Sequence, residues 1–263
     1  MKKVIVFGSL NMDLTIECEQ IPLAGQTVEG RGFFTNPGGK GGNQATAAAK
    51  MGAPTYMIAR VGEDVFGSQI VGTLAGYGVD CTYVDTSSRS GTGVAMIIRS
   101  SGDNRIVLNR GSNHEITGEE VERILDRLGE PLDLFVTQYE CSARAVIEGL
   151  AAAKRRGLFT LFNPAPAKAI PPEAYPDIDL LVVNQTECEF LTGLYPTDLE
   201  GCQTALGRFK ALGAGGAIIT LGGAGSVSRV GGELMMVESY AVPNVDTTAA
   251  GDAYIGALAS SLV

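Results

Sequence analysis

The chain has 263 residues, 45% of them hydrophobic, with a net charge of -9 and a pI near 4.7. That size suits one large α/β domain with room for an inserted subdomain. The acidic balance argues against a nucleic-acid partner, which needs clustered Lys and Arg. No apolar run reaches 18 residues, so no membrane span is expected. The five cysteines (Cys18, Cys81, Cys141, Cys188 and Cys202) are scattered and lack any C-x-x-C spacing. They read as reduced thiols of a cytoplasmic protein. The single His114 leaves no room for a multi-histidine metal site.

Lys2 and Lys3 ahead of Val4-Ile5-Val6-Phe7 could mimic a signal peptide, but the apolar run is short and Asn11 and Asp13 follow at once. Val4 to Ser9 reads instead as a buried strand, with Asn11 and Asp13 at its carboxyl end, where open α/β sheets bind ligands. No G-x-G-x-x-G follows, which counts against a dinucleotide fold. Residues 14–36 alternate apolar and polar between turn breaks, as short antiparallel strands do. Pro37-Gly38-Gly39-Lys40-Gly41-Gly42-Asn43-Gln44-Ala45 then sets four glycines around one lysine, so a polar ligand could rest on backbone. It is no Walker A loop: Phe34 and Gly41 stand where glycine and Ser/Thr are needed. A flexible loop ahead of a helix fits the stretch equally well. Thr46 to Lys50 continues as that helix, with Gly52 as its stop.

Tyr56 to Val61 reads as a strand, and Gly62 to Gly67 as a turn into a helix that ends near Gly76–Gly78. Thr92–Ile98 and Arg105–Asn109 read as two strands about a hairpin turn. With residues 14–36 they suggest a small sheet set apart from the main one. From about residue 116 strands and helices alternate: helices over 119–128, 143–156 and 202–212, strands over 132–137, 159–162, 180–183 and 217–221. That rhythm implies a parallel, doubly wound sheet. Nearly every polar or glycine-rich cluster falls at a strand's carboxyl end, the active-site edge of this class.

Near the end, Asp246-Thr247-Thr248-Ala249-Ala250-Gly251-Asp252 is a small-residue turn feeding an apolar helix. Such a turn presents unpaired N–H groups and the positive end of a dipole, which suits an anion. A carboxylate there repels a phosphate unless it has a task of its own, such as taking a proton from an attacking hydroxyl. An ordinary N-cap is the alternative. Asn184 and Glu187, three apart, could hold Mg²⁺ through its waters or form a capping box. Thr220 to Gly225 could pass backbone against a nucleotide or be a plain hairpin turn. Glu140 ends a strand in a row with Asn11 and Asp13, and a solvated loop carboxylate is its alternative. His114 beside Glu115 hints at a hydrolase pair, but no G-x-S-x-G accompanies it.

Two motifs, Gly38-Gly39-Lys40-Gly41-Gly42-Asn43-Gln44-Ala45 and Asp246-Thr247-Thr248-Ala249-Ala250-Gly251-Asp252, make the chain resemble the ribokinase (PfkB) family of sugar kinases. Gly8-Ser9-Leu10-Asn11-Met12-Asp13, Asn163-Pro164-Ala165-Pro166-Ala167, Asn184-Gln185-Thr186-Glu187 and Thr220-Leu221-Gly222 support it, in consistent order over residues 4–262. The resemblance implies an α/β fold: a doubly wound, mostly parallel central sheet with flanking helices, plus a small antiparallel β lid from about 14–36 and 92–110 that serves as a homodimer interface. It implies sugar ligands at Asn11, Asp13, Gly39, Lys40, Asn43 and Glu140. Asp252 would be the general base, and the N–H groups of Ala249, Ala250 and Gly251 the anion hole. Asn184, Thr220, Gly222, Gly223, Gly225 and Gly251 would contact ATP. Glu187 would hold Mg²⁺ through water, and Asp246 and Thr248 a monovalent cation, K⁺ as activator.

There are departures. Ala249-Ala250 replaces the usual glycine-alanine, and Tyr139 is bulky for its place in Gln138-Tyr139-Glu140. The chain stops at Val263, inside the helix that begins at Asp252, where the family continues for several tens of residues. One α/β kinase domain over 1–263, lacking its C-terminal end and a wall of the adenine pocket, is the expectation. The expected activity is ATP-dependent phosphorylation of a pentose primary hydroxyl, D-ribose first, with deoxyribose, a nucleoside or another sugar as alternatives. A non-catalytic sugar- or nucleotide-binding protein on the same fold is the reading of a different class. A nicotinamide dehydrogenase fails for want of the glycine fingerprint.

Overall fold

The computed structural model describes residues 2–100, 103–230, 232–242 and 247–263. In chain order the first half holds β1 (Val4–Phe7), β2 (Asn11–Glu17), β3 (Arg31–Gly38), α1 (Lys40–Lys50), β4 (Thr55–Gly62), α2 (Val65–Gly76), β5 (Val79–Ser87), β6 (Gly93–Ser100) and β7 (Asp103–Asn109). A 3₁₀ turn (Gly111–His114) leads into α3 (Gly118–Leu128), β8 (Leu134–Gln138), α4 (Ala143–Arg155) and β9 (Phe159–Asn163). Then follow β10 (Leu180–Asn184), α5 (Gln185–Thr192), α6 (Leu199–Leu212), β11 (Ala217–Thr220), β12 (Ser226–Val230), β13 (Glu233–Val237) and α7 (Ala250–Ser261).

The main sheet has nine strands in the order β13-β12-β11-β10-β9-β8-β1-β4-β5. It is parallel from β11 to β5 and ends in the antiparallel pair β12 and β13. All four residues of β1 are buried, as a strand covered on both faces requires. Ile5 and Phe7 enter a core with Val121 and Leu125 of α3, Val146 and Leu150 of α4 and Phe209 of α6. Val4 and Val6 face the other way, toward Ala45 and Ala48 of α1, Ile70 and Leu74 of α2 and Ile255 of α7. The winding turns from β4 and β5 on one side of β1 to β8 and onward on the other. The crevice outside the carboxyl ends of β1 and β8 is therefore the switch point where such sheets take ligands.

The second sheet has four strands in the order β3-β2-β6-β7. It draws on the two segments expected for a lid. Its β2/β3 and β6/β7 pairs are antiparallel, while the central β2/β6 pair runs parallel. β2 begins at Asn11, so the residues expected at the carboxyl end of β1 are already the first rungs of this sheet. Three strands carried no clear sequence expectation. β5 lies at the sheet edge and has only two buried residues, Val79 and Ser87, and β12 and β13 are five residues each with no strict alternation of polar and apolar side chains.

α1 and α7 pack backbone to backbone. A Cβ on Gly256 would collide with Ala47 Cβ and sit 2.6 Å from the Gln44 carbonyl oxygen. Alanine is the better helix former by about 1 kcal/mol, yet Gly256→Ala is expected to lower Tm by several degrees through overpacking costs of about 1–3 kcal/mol. An unchanged or raised Tm would show that the two helices can part without loss.

Candidate active site

The site is built from chain reversals at the carboxyl edge. After β1 the chain turns through Gly8-Ser9-Leu10 into β2, and α1 starts directly against that turn. A Cβ on Gly41 would stand 2.6 Å from the Gly8 carbonyl carbon and 2.7 Å from Ser9 N. Gly39, the N-cap of α1, has φ 89°, and a Cβ there would lie 2.8 Å from Ser9 O. Only glycine serves both demands at once. These glycines let the first turn of α1 close on the residues that leave β1.

Glu140, two residues past β8, ties this end together. Its Oε2 accepts from Ser9 Oγ at 2.5 Å, from Lys40 N at 3.1 Å and from Asn11 Nδ2 at 3.5 Å. A carboxylate at the amino end of α1 is also favoured by the helix dipole. Asn11 is held from behind by Asn113, which is 1% exposed. Asn113 Nδ2 donates to Asn11 Oδ1 (2.8 Å) and Leu10 O (3.1 Å), and its Oδ1 accepts from Leu10 N at 2.8 Å. A Cβ on Gly93 would strike both amides, so β6 is pressed against this pair.

Asp13 sits against Gly38. Its carboxyl is pushed up from 3.8 to about 6, first by burial and then by Glu140. The folded protein therefore keeps a proton on Asp13 in that window which the unfolded chain has lost, and the group's contribution to stability falls as pH rises from 3.8 to 6. Asp13→Asn is expected to raise Tm above pH 6 and leave it unchanged below 3.8, as read by thermal denaturation across pH. An equal gain at both ends would assign the effect to packing.

Asp252 lies in the first turn of α7 and is 6% exposed. Its Oδ2 accepts from Asn43 Nδ2 at 3.2 Å and its Oδ1 from Gln44 Nε2 at 2.9 Å. Burial pushes the carboxyl up; Lys40, Gln44 and Asn43 pull it down, and Glu140 adds to the rise. The helix begins from Ala249 at φ 59°, a left-handed residue that is not glycine. Ala250 N donates to Thr247 O at 3.1 Å, so this N–H of the expected anion hole is already engaged. Those of Ala249 and Gly251 meet no acceptor among the described residues. Thr248 is described and engaged, whereas Asp246, the other expected cation ligand, lies outside the described residues.

Asn184 and Glu187 form the capping box of α5. Glu187 N donates to Asn184 Oδ1 at 2.8 Å, and Asn184 N to Glu187 Oε2 at 3.0 Å. Of the two sequence readings, the cap is thus realised. It leaves Glu187 9% exposed on the same edge, its carboxyl raised by burial, lowered by the Asn184 N–H, Lys40 and Asn163, and raised again by Asp252. Among the described residues no cluster of three acidic, His or Cys side chains could cage a metal. A single carboxylate that feels Asp252 instead fits Mg²⁺, which keeps much of its water and is shared with phosphates. Thr220 Oγ1 donates to Val183 O at 3.4 Å, and Gly222, Gly223 and Gly225 shape the turn between β11 and the antiparallel β12. That turn is the hairpin the sequence allowed, and it opens on the same edge.

Asp252 reaches the first turns of α1 through Asn43, and Lys40 is felt by both Asp252 and Glu187. The expected sugar, transfer and Mg²⁺ residues therefore share one surface. Gln44, Gln138, Asn113 and Ser9 bind this cluster together and had been given no role from the sequence. Gln44 stood next to Asn43 in a quoted motif, so a signal existed; Asn113 lay in a polar turn with none.

The chain matches the pfkB family of carbohydrate kinases over residues 1–263. A ribokinase of Staphylococcus aureus (strain COL) is 35% identical, spanning 99% of this chain and 86% of that protein. A deoxyribokinase of Salmonella typhi is 33% identical over 97% of this chain and 84% of its own length. The structure of Arabidopsis thaliana ribokinase complexed with ribose and ATP aligns with a TM-score of 0.90 at 30% identity, covering 99% of this chain and 86% of that one.

Proposed function

The chain belongs to the pfkB family of carbohydrate kinases, and from that premise we propose that it moves the γ-phosphoryl group of ATP to the primary hydroxyl of a pentose, D-ribose first. The observation that carries this reading is Asp252, a buried carboxylate at the amino end of α7 that accepts a hydrogen bond from Asn43 in the first turns of α1. Asn11, Asp13, Gly39, Lys40, Asn43 and Glu140 hold the sugar hydroxyls. Asp252 takes the proton of the attacking hydroxyl, and its raised carboxyl brings it toward working pH. The N–H groups of Gly251 and Ala249 face the moving phosphoryl group, where fixed donors act on developing charge. Thr220 to Gly225 and Asn184 lie along the nucleotide.

Mg²⁺ arriving with ATP would screen the phosphates, with Glu187 holding it through water and the box with Asn184 fixing that carboxylate. Thr248 and Asp246 are proposed for a monovalent cation, K⁺ as activator. The small sheet leaves Phe33, Phe34, Met96, Ile106 and Val107 exposed, which suits a second copy of the chain across the lid. The five free cysteines suit a cytoplasmic setting. No described helix is long and apolar enough to cross a membrane.

The 33% identical deoxyribokinase keeps 2-deoxyribose as a second reading for the substrate. ADP release by the full-length protein with Mg²⁺-ATP and K⁺, over ribose, 2-deoxyribose, fructose and nucleosides, separates them. Turnover on ribose above all others is expected. Preference for 2-deoxyribose moves the assignment, and sugar binding without ADP release would favour a binding protein on this fold.

A further inference from the structure

Behind Asp252, two buried amides stand in line. Gln44 Nε2 donates to Asp252 Oδ1 at 2.9 Å, and Gln138 Nε2 donates to Gln44 Oε1 at 2.6 Å. Gln44 comes from α1 and Gln138 from the end of β8, and they are 1% and 0% exposed. An ionised carboxylate only accepts, so it must face the NH₂ of Gln44. The carbonyl of Gln44 then needs a donor, which is the NH₂ of Gln138. That turns the Gln138 carbonyl toward Gly8, where Oε1 is buried without a hydrogen-bond partner among the described residues. Flipping Gln138 would set two carbonyl oxygens against each other. Flipping both would set the Gln44 carbonyl against the carboxylate. The orphaned oxygen is the far end of a one-way chain whose direction follows the charge on Asp252.

We propose that Gln44 and Gln138 are positioning residues that hold the transfer base ionised, with Oδ1 tied off and Oδ2 left for the proton. The proposal rests on the reading of Asp252 as the base. In the step, the sugar O–H bond breaks and its proton passes to Oδ2. The freed electron pair forms the new O–P bond, and the bond from γ-phosphorus to the bridging oxygen breaks with its pair staying on ADP. Oδ2 is the oxygen that faces Asn43, one of the residues proposed to hold the sugar. The charged groups around Asp252 are Lys40 on α1, Glu140 after β8 and Glu187 on α5. Lys40 favours the charged form and the two carboxylates oppose it. Donation from Gln44 works with Lys40, so its loss raises the pH at which the base loses its proton.

The test is kcat against pH at saturating sugar and Mg²⁺-ATP for Gln44→Met, Gln138→Met and the double variant, with Asp252→Asn alongside. Gln44→Met is expected to lose roughly tenfold in kcat at neutral pH, to move the acid limb to higher pH and to leave sugar KM within about twofold. Gln138→Met should move the limb the same way by less, because Gln44 still reaches Asp252 but is no longer oriented. The double variant should match Gln44→Met, since the two amides act in series. Gln138→Met lies on another element and carries the test if the α1 variant fails to fold. Acid limbs that stay in place, with losses that add, would overturn the proposal. If those limbs stay while Asp252→Asn is inactive, this inference alone fails; an active Asp252→Asn removes the base reading and the relay with it.

Discussion

Asp252→Asn is expected to lower kcat by about 10²–10⁴-fold, the usual worth of a positioned base, while sugar binding by calorimetry stays within several-fold. The replacement is isosteric: its oxygen can still accept from Gln44, and its NH₂ takes the place of Oδ2 and needs only the Asn43 amide to turn its oxygen inward, so the pocket has no steric reason to change. Its effect on stability should run the other way. Burial and Glu140 raise the carboxyl of Asp252, so the folded state holds its proton to higher pH than the unfolded chain does. Stability from this group therefore falls as pH rises through that window. The amide escapes that loss, and Tm at neutral pH should hold or rise. Lost turnover with undiminished Tm is the mark of a group kept for chemistry at a cost to the fold. Loss of binding with unchanged turnover per bound sugar would show the role to be misassigned.

Glu140→Ala is expected to damage both binding and stability. Three donors converge on Glu140 Oε2: the Ser9 hydroxyl, Lys40 N and Asn11 Nδ2. Ser9 is fully buried, and a buried donor left without an acceptor costs about 1–3 kcal/mol. Together with the lost charge at the head of α1, a stability loss of about 2–4 kcal/mol follows. Sugar affinity should fall roughly 10²-fold, because Asn11 and Lys40 lose the strut that aims them. Glu140 also helps hold the Asp13 carboxyl up near 6. Its removal should move the pH dependence of sugar binding toward lower pH. Lower Tm with unchanged affinity and pH dependence would leave Glu140 as a structural brace only.

Much of this architecture was legible because its signals are local. The Ala-rich α1, the buried runs of β1, β8 and β10, and the helices α3 and α4 each announce themselves by their apolar patterning, and the structure adds the caps Thr117 and Ser142. β5 did not, since this edge strand is mostly polar and reads as loop, and β12 and β13 did not, since each is only five residues long and lacks a regular alternation. The parallel β2/β6 pairing was hidden for another reason. Residues 11–17 and 93–100 are joined by register across some 80 positions, and no local pattern encodes that partnership. In the site, Lys40 stood out by its surrounding glycines, Asn43 by the motif it shares with the family, Glu140 by ending a strand in a row with Asn11 and Asp13, and Asp252 as a carboxylate at a helix start suited to an anion. Asn113 and Gln138 were invisible for the converse reason. Their work is to satisfy other buried polar atoms, and that need exists only after the chain has closed.

Identification of the phosphorylated position tests the central claim most directly. The protein would be incubated with ribose, Mg²⁺-ATP and K⁺, and the product examined by ³¹P–¹H correlation. The account predicts a phosphomonoester coupled to the two C5 methylene protons, formed one for one with ADP. Phosphate on the anomeric carbon, or ADP accompanied only by free inorganic phosphate, would contradict it.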